Sequence, residues 1–464
     1  MNIPSLIILS YVIVSIFFFI FSSIVLSYFL IKLASKKPKI ENVYFDIYSI
    51  QNFEYPIITI LLPVYREEIT LPYLLKSISK FNYPKDKLDI QLLVEPEDHL
   101  TIKSLLSIPY ESIPGGKVEY LDNKPVKVQI WNNTVVKVTY IYLNPKNSRA
   151  KPKSLNKGLS FAEGQFLIIY DAEDRPQPDQ LRRMVLNMER HPDIECLQAR
   201  LSYYNSSQSL LTKLFSIEYL NHFNILLPLM HNSGLVVLLG GTSNFFRTSA
   251  LKKLGGWDEK NVTEDADLGV RLARIKGKTV PFDSTTWEEA PPKLYPWLRQ
   301  RIRWNKGFLY TFKTHYKNPL TLVRDIGIKS AIFLLYQLIG PIINMLALPG
   351  WIIFSVVALT WLDIPIPFAK WIYEAYDYNV FIFYITLFTF IIGISFVLIV
   401  SFLALRQSHY ALKKYKLILL MPIYNILLSV AGLIAIYEFL FKPQVWHKTY
   451  HGFSIVNSPD SSNS

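Results

Sequence analysis

Cysteine is almost absent from this chain, because Cys196 is the only one among 464 residues. A single thiol excludes an intrachain disulfide framework and a cysteine-based zinc site. No internal repeat is evident either. The lack of disulfides agrees with a cytoplasmic location for any catalytic portion of the chain.

Charge is missing from residues 5–31, a run of 27 positions. A helix of that length measures about 40 Å, which is enough to cross a bilayer with some tilt. Lysines follow this run instead of preceding it, from Lys32 to Lys39, which favours a retained anchor over a cleaved signal peptide. The positive-inside rule then places the N-terminus outside and the next segment in the cytoplasm.

Charge becomes scarce again towards the C-terminus. Residues 328–362 contain only Lys329 as a charged residue and are interrupted by prolines, so we expect two helices there, and residues 380–405 and 417–441 predict two more. The expected total is five spans with a cytoplasmic C-terminus. The basic run at 406–416 argues partly against this topology, since a single span plus an interfacial helix in 328–362 would place that run inside.

Two aromatic-rich amphipathic segments, residues 210–229 and 295–316, are expected either at the membrane surface or as core helices. The predicted organisation has four parts: an anchor at 1–37, a cytoplasmic domain at 38–320, transmembrane helices at 321–442 and a tail at 443–464.

Between the apolar ends, short β-rich runs alternate with candidate helices. Residues 57–65, the run LDIQLLV, residues 135–143 and the run QFLIIY predict strands, two of which end directly in acidic residues. The order of strand, helix and strand is typical of an α/β fold with a mixed, mainly parallel sheet flanked by helices. A ligand is then expected beyond the carboxyl ends of the strands.

The acidic clusters suit a divalent cation that neutralises a diphosphate. Asp171 and Glu173 are two residues apart at a strand end and can both reach one ion, with Asp174 competing for the second role. Glu95, Glu97 and Asp98 end another strand and are expected to contact a nucleoside or the same ion. Helix capping explains both clusters almost as well.

A third acidic pair, Glu264 and Asp265, opens the predicted helix ADLGVRLARIKG. A sugar hydroxyl is a poor nucleophile near neutral pH, and a positioned carboxylate can accept its proton. The alternative is that Thr263 or Asp265 only caps the helix.

Basic and aromatic residues complete the pattern. Lys151 and Lys153 lie before a predicted helix start, where phosphate binds well. Gln300, Arg303 and Trp304 combine a hydroxyl-binding amide, a phosphate-binding guanidinium and a flat apolar ring. An amphipathic basic helix against anionic lipid is the alternative for this last group.

Seven short motifs stand in one order that resembles the membrane-integrated family 2 glycosyltransferases, a group that includes cellulose, chitin and hyaluronan synthases. The motifs are LLPVYREE, LVEPED, RAKPKSLN, YDAED, GGTSNFFR, VTEDADLGVRL and QRIRW. The resemblance covers roughly residues 55–315 and implies a nucleotide-sugar-binding fold and an inverting transfer that forms a β-linkage.

The resemblance also implies roles for individual residues. Asp265, with Glu264 beside it, is the expected general base, and Asp171 and Glu173 are the expected ligands of Mg²⁺ or Mn²⁺. The residues expected at the donor nucleotide are Pro63, Val64, Tyr65, Glu67, Glu95, Asp98 and Lys151. The residues expected at the acceptor and the diphosphate are Gln300, Arg301, Arg303 and Trp304.

The chain departs from the family pattern in two places. Asp171-Ala172-Glu173 replaces the usual Asp-x-Asp, which shifts the geometry of a metal site by one methylene, and the Val94–Asp98 region lacks the usual Asp-Asp. A C-terminal motif containing Trp446, Lys448 and Thr449 resembles a gating segment, and we expect it to return to the cytoplasmic site and cover bound nucleotide.

The expected function is therefore β-glycosyl transfer from a nucleotide sugar, with UDP as the expected nucleotide, to a growing polysaccharide at the cell membrane. Transfer of a single sugar to a membrane lipid is the alternative, and a non-catalytic transporter or scaffold is a minor one. The expected partners are the donor, a saccharide or lipid acceptor and membrane lipids, without nucleic acid.

Overall fold

The computed structural model describes seven parts of the chain: Tyr28 and residues 53–106, 126–130, 134–140, 151–340, 380–408 and 412–442. The predicted N-terminal anchor apart from Tyr28, most of the predicted spans between 341 and 379, and the predicted gating residues Trp446, Lys448 and Thr449 lie outside the described residues.

Nine strands form one mixed sheet in the order β3-β4-β2-β1-β5-β8-β7-β9-β6. Their bounds are β1 Ile58–Val64, β2 Leu88–Val94, β3 Val126–Ile130, β4 Thr134–Tyr140, β5 Phe166–Ile169, β6 Arg175–Pro176, β7 Ile194–Tyr203, β8 Asn244–Arg247 and β9 Lys278–Glu288. The pairs β1–β2, β1–β5, β2–β4 and β7–β9 are parallel, whereas β3, β6 and β8 pair antiparallel with their neighbours. The mixed sheet is confirmed, but parallel pairing accounts for only half of these pairs.

Helices flank the sheet and continue beyond it. Their bounds are α1 Leu71–Ser79, α2 His99–Leu106, α3 Lys151–Ser160, α4 Gln180–Arg190, α5 Leu210–Leu220, α6 Leu227–Asn232, α7 Thr248–Lys253, α8 Glu264–Arg274, α9 Leu294–His315, α10 Pro319–Ile326, α11 Ile328–Gly340, α12 Val380–Gln407 and α13 Met421–Phe441. Short 3₁₀ segments occupy Lys85–Lys87 and Leu412–Leu420, and a π-helical turn at Asn221–Leu226 joins α5 to α6.

The sheet is buried on both faces, as the side chains of strand β1 show. Its side chains alternate in direction, so Ile58, Ile60 and Leu62 enter one hydrophobic cluster while Leu61 enters another on the opposite face. All four are fully buried. Apolar residues at consecutive positions are the pattern expected of a central parallel strand covered by helices on both sides.

The two amphipathic segments at 210–229 and 295–316 pack into the protein. Helix α5 contacts α12 and the 412–420 segment, and the long helix α9 packs along α13. Phe215, Trp297 and Tyr424 are buried together in the cluster that joins these elements. Both segments therefore pack as helices against other parts of the protein, and their position at the membrane surface stays a prediction.

One helical segment is long and apolar enough to cross a membrane by length and composition, Tyr415–Phe441, among the residues that the structure describes. Ile328–Gly340 and Ile391–Gln407 are apolar but shorter. The five predicted spans are therefore not confirmed, and the count stays a prediction, as does the division of the chain into four parts.

Candidate active site

The carboxylates predicted from the sequence gather at one edge of the sheet. β1, β2 and β5 run parallel, so the loops that follow them emerge on the same side. The loop after β5 carries Asp171 and Glu173, and α8 brings Glu264 and Asp265 to the same place. A ligand beyond the carboxyl ends of the strands is the arrangement that this topology favours.

Gly241 marks the point where two of these carboxylates converge. A Cβ atom on Gly241 would lie 3.4 Å from Asp265 Oδ2 and 4.0 Å from Asp171 Oδ2. A side chain at this position would occupy the space between the two carboxylates. The glycine therefore keeps open a small cleft that has an acidic group on each side.

Lys151 is the cation within this cleft. Its Nζ lies 2.5 Å from Asp171 Oδ1 and donates to the Gly241 carbonyl at 2.7 Å. Burial lowers the pKa of Lys151, but Asp171, Glu264 and Asp265 outweigh burial and raise it above its usual range. Lys151 lies in the first turn of α3, not before it as the sequence predicted, and it remains ionised.

Negative charge is in excess around this lysine. Burial, followed by the neighbouring Asp171, raises the pKa of Glu173 to about 8. Burial, followed by Asp265, likewise raises the pKa of Glu264 to about 8. Ionised carboxylates that lie close together at a largely buried site repel each other. A bound cation would reduce that repulsion.

Asp174 has a structural task in this cluster. It is fully buried, its Oδ2 accepts the Asp171 amide at 2.8 Å, and the Thr242 hydroxyl also donates to Oδ2. These contacts fix the loop that presents Asp171. Both of these bonds use Oδ2, and Oδ1 has no hydrogen-bond partner in the described part of the chain, so the choice between Glu173 and Asp174 for the second metal-binding role stays open.

Asp265 does more than cap its helix. Thr263 precedes α8 without a side-chain capping bond, while Asp265 Oδ1 accepts the Ala266 amide at 2.8 Å. The second oxygen, Oδ2, faces Gly241 and the cleft. Burial raises the pKa of Asp265, and the Ala266 amide, Lys151 and Arg303 hold it down.

The residues predicted at the nucleotide divide into two groups. Val64 is buried at the end of β1, with Pro63 and Tyr65 half-buried beside it, and Glu95 is buried after β2. Two other acidic residues accept hydrogen bonds from the loop after β1. Asp98 accepts the Arg66 amide at 2.5 Å, and Glu67 accepts the Thr70 hydroxyl at 2.8 Å. The expectation that Asp98 binds the donor stays a prediction, and the structure shows that its carboxylate also accepts the Arg66 amide.

Helix α9 carries the QRIRW motif with its side chains on different faces. Gln300 is buried, and its Oε1 has no hydrogen-bond partner in the described part of the chain. Arg303 lies close enough to Asp265 to lower the pKa of that carboxyl. The Trp304 ring lies 6.4 Å from the ring of Tyr219, nearly parallel to it.

Arg301 differs from its neighbours because its guanidinium is paired inside the protein. Its Nη2 lies 2.5 Å from Glu218 Oε2 and 3.3 Å from the Tyr424 hydroxyl, and its guanidinium lies 4.2 Å from the centre of the Phe215 ring. Arg301 is therefore a buried structural cation between α5, α9 and α13. The expectation that it contacts the diphosphate stays a prediction.

Glu288 was missed by the sequence reasoning. It ends β9, and Glu173 and Asp171 lie close enough to add to burial in raising its pKa well above its ordinary value. The Tyr219 hydroxyl hydrogen-bonds its carboxylate, which places Glu288 between the acidic cleft and Trp304. The Glu288-Glu289 pair follows a β-rich run, the same signal that identified the other acidic clusters.

A preformed metal shell is not seen in the described part of the chain, where no three His, Cys, Asp or Glu side chains are grouped as ligands. Asp171 and Glu173 fit a partial shell, because the cleft has more carboxylates than cations and Mg²⁺ and Mn²⁺ prefer oxygen ligands. The diphosphate of a nucleotide sugar could supply further oxygens. The donor set therefore fits a divalent cation bound together with its nucleotide.

Comparison with known proteins agrees with this fold. A solved mannosyltransferase from Pyrobaculum calidifontis, PcManGT, in complex with GDP-Man and Mn²⁺, superposes with a TM-score of 0.56 over 91% of this chain and 99% of that one, at 16% sequence identity. This likeness shows a shared fold. Residues 166–433 match the glycosyl transferase family group 2, and the chain belongs to this family of glycosyltransferases.

Curated relatives include a probable glucomannan 4-beta-mannosyltransferase 7 from Oryza sativa subsp. japonica. It is 26% identical over 288 residues, which cover 61% of this chain and 46% of that protein. The probable glycosyltransferase YdaM of Bacillus subtilis is 27% identical over 266 residues, covering 55% of this chain and 56% of that protein. The chain spans about half the length of the curated relatives it matches.

Proposed function

We propose that the protein transfers a sugar from a nucleotide-sugar donor to a growing β-linked polysaccharide, with inversion at the anomeric carbon. The observation that carries the proposal is the cleft at Gly241, where Asp171 and Asp265 face each other across Lys151. These groups provide a binding site for the departing diphosphate and a base for the acceptor hydroxyl.

On the donor side, Lys151 and the loop of Asp171 and Glu173 face the diphosphate. Asp171 and Glu173 would hold Mg²⁺ or Mn²⁺, which would neutralise charge on the departing nucleoside diphosphate. The nucleoside lies against the end of β1, where Pro63, Val64 and Tyr65 border the sheet edge.

On the acceptor side, Asp265 takes the proton from a sugar hydroxyl as that oxygen bonds to the anomeric carbon. The bond from that carbon to the diphosphate oxygen breaks on the opposite face, and its electron pair leaves with the nucleoside diphosphate. Glu264, with a pKa of about 8, is mainly protonated at neutral pH. Asp265 is the better proton acceptor because the Ala266 amide, Lys151 and Arg303 favour its charged form.

Gln300, Arg303 and Trp304 form the acceptor side in this proposal. The free Oε1 of Gln300 can accept a hydrogen bond from a sugar hydroxyl, and the Trp304 ring offers an apolar face to a pyranose. Their helix, α9, packs along α13, which is part of the candidate membrane span. This contact supports an acceptor held at the membrane and a polymer made next to it.

The sugar is proposed from the relatives. Several are named glucomannan 4-beta-mannosyltransferases, so a mannosyl donor such as GDP-mannose is the first candidate, and UDP-sugars, expected from the sequence, are the second.

The test uses the purified full chain in detergent with GDP-mannose, UDP-glucose, UDP-N-acetylglucosamine or UDP-galactose, with and without Mg²⁺ or Mn²⁺. We expect release of nucleoside diphosphate from one donor, dependence on the metal, and an oligosaccharide product that a β-specific glycanase digests.

Product in the lipid phase carrying a single sugar would instead indicate the lipid-acceptor alternative. No nucleoside diphosphate release with any donor, from protein that is folded by thermal unfolding, would contradict the proposal.

A further inference from the structure

One face of α9 connects the acceptor side to the helix that carries Asp265. Arg303, Gly307, Thr311 and His315 follow each other at intervals of four residues, which places them on the same side of the helix. Arg303 lies one helical turn before Gly307, the residue that packs against Thr263 two positions before Asp265. The other three each contact the segment of residues 261–267, which forms the start of α8 and the residues before it.

Gly307 is the closest of these contacts. A Cβ atom at this position would overlap the Thr263 side chain and would lie 2.8 Å from its Cβ. Thr263 immediately precedes Glu264 and Asp265. The absence of a side chain at Gly307 therefore lets α9 lie directly against the first turn of α8.

Thr311 and His315 continue the contact with buried polar bonds. Asn261 Nδ2 donates to Thr311 Oγ1 at 2.8 Å, and Asn261 Oδ1 accepts the Thr263 amide at 3.1 Å. His315 Nε2 lies 2.9 Å from Asp267 Oδ1, with both side chains almost fully buried. Polar bonds in such a setting fix geometry, since each partner left unpaired would be costly.

Asp267 is held from a second direction. Arg271 Nε donates to its Oδ2 at 2.6 Å, and Arg274 Nη1 lies 3.3 Å from His315 Nδ1. Each oxygen of Asp267 and each ring nitrogen of His315 therefore has a partner. This leaves the α8–α9 contact little freedom to slide.

We infer that Gly307, Thr311 and His315 are positioning residues which set the register of α9 against α8, and that this register holds Arg303 opposite Asp265 during sugar transfer. The inference rests on the proposed function for its consequence in catalysis. One residue of axial slip in a helix displaces its side chains by about 1.5 Å. Errors of about 1 Å in the placement of a reacting group can lower a rate about 100-fold.

Gly307→Ala is the direct test, with Gly340→Ala as its matched control. Both replace a helical glycine, but among the residues that the structure describes a Cβ on Gly340 would meet nothing closer than Tyr336 ring atoms at 3.8 Å. We expect Gly307→Ala to lower kcat between about 10-fold and 100-fold with donor KM changed less than about threefold, and Gly340→Ala to resemble the wild type.

A double-mutant cycle separates a positioning role from general weakening. In an Arg303→Gln background, Gly307→Ala should lower kcat by less than about threefold, because the contact it disturbs is already lost. Full additivity of the two effects, or an unchanged kcat for folded Gly307→Ala protein, would overturn the inference.

His315 provides a second route if Gly307→Ala does not fold. His315→Gln keeps a donor towards Asp267 and should retain more kcat than His315→Ala, at equal donor KM. Equal loss in both variants would count against positioning.

Hydrogen exchange of residues 261–267 measures the contact without any turnover. It should rise in Gly307→Ala and not in Gly340→Ala, and unchanged exchange in both would reject the contact itself. If the wild type released no nucleoside diphosphate, the proposed function would fail while this measurement still tested the contact.

Discussion

Replacing Glu264 by glutamine should stabilise the unliganded protein at alkaline pH and leave its stability nearly unchanged at acid pH. Glu264 is 7% exposed, and burial followed by Asp265 raises its pKa from 4.5 to about 8. Glutamine has a similar shape and removes only the charge. The comparison therefore measures the cost of ionising this carboxylate inside the cleft.

The sign follows from proton binding. Between the unfolded pKa of 4.5 and the folded pKa of about 8, the folded protein holds a proton that the unfolded chain has lost. The free energy of unfolding therefore falls as the pH rises through this window, and the loss is complete above the folded value.

A shift of one pKa unit corresponds to about 1.4 kcal/mol, which gives an upper bound of about 5 kcal/mol for Glu264. Part of this cost is shared with the neighbouring Asp265, so we expect about 2 kcal/mol in the variant at pH 9.

The assay is thermal unfolding of the wild type and Glu264→Gln in detergent at pH 5 and pH 9, without metal or nucleotide. A gain of about 2 kcal/mol should raise Tm by roughly 2–3 °C at pH 9, and the difference should nearly vanish at pH 5. Glu54→Gln at an exposed site is the matched control and should show no pH-dependent difference. Equal Tm differences for Glu264→Gln at both pH values would refute the reasoning.

Two further predictions concern the same cleft and its support. Asp171→Asn should weaken Mn²⁺ binding at least about 10-fold, because it removes one of the two expected ligands. The affinity is measured by titration calorimetry with nucleoside diphosphate present. An unchanged affinity would place the metal elsewhere. Glu218→Gln should lower the free energy of unfolding by about 3 kcal/mol, measured as a fall in Tm, because it leaves the buried Arg301 guanidinium without the negative charge that neutralises it. Tyr424→Phe, which removes only a hydroxyl from the same contact, should cost about 1 kcal/mol, and an equal cost for both would contradict a charged pair.

The central part of the sheet could be predicted because its signal is local. β1, β2, β4 and β5 are runs of apolar or β-branched residues, and β1, β2 and β5 are followed by acids or polar loops. The edge strand β3 escaped prediction because its five residues, VKVQI, are short and partly polar. The rule that acids follow strands also located the cleft, and applied to β9 it would have found Glu288.

Contacts between distant residues could not be predicted from the sequence. Arg301 looks like a ligand-binding arginine within its motif, but Glu218, 83 residues earlier, neutralises it. Asp98 looks like a free acid after β2, but the Arg66 amide from the loop after β1 occupies it. Neither partner is marked by any local pattern. Such pairings appear only once the helices and loops are placed in space.

The central claim is that Asp265 accepts the proton of the acceptor hydroxyl. It is tested most directly by comparing Asp265→Asn with the wild type in two assays, nucleoside diphosphate release with acceptor present and equilibrium binding of the intact donor. The account predicts that release falls at least about 1,000-fold while donor Kd changes less than about threefold. Turnover within about tenfold of the wild type, with the donor still bound, would contradict it and assign the base to another residue.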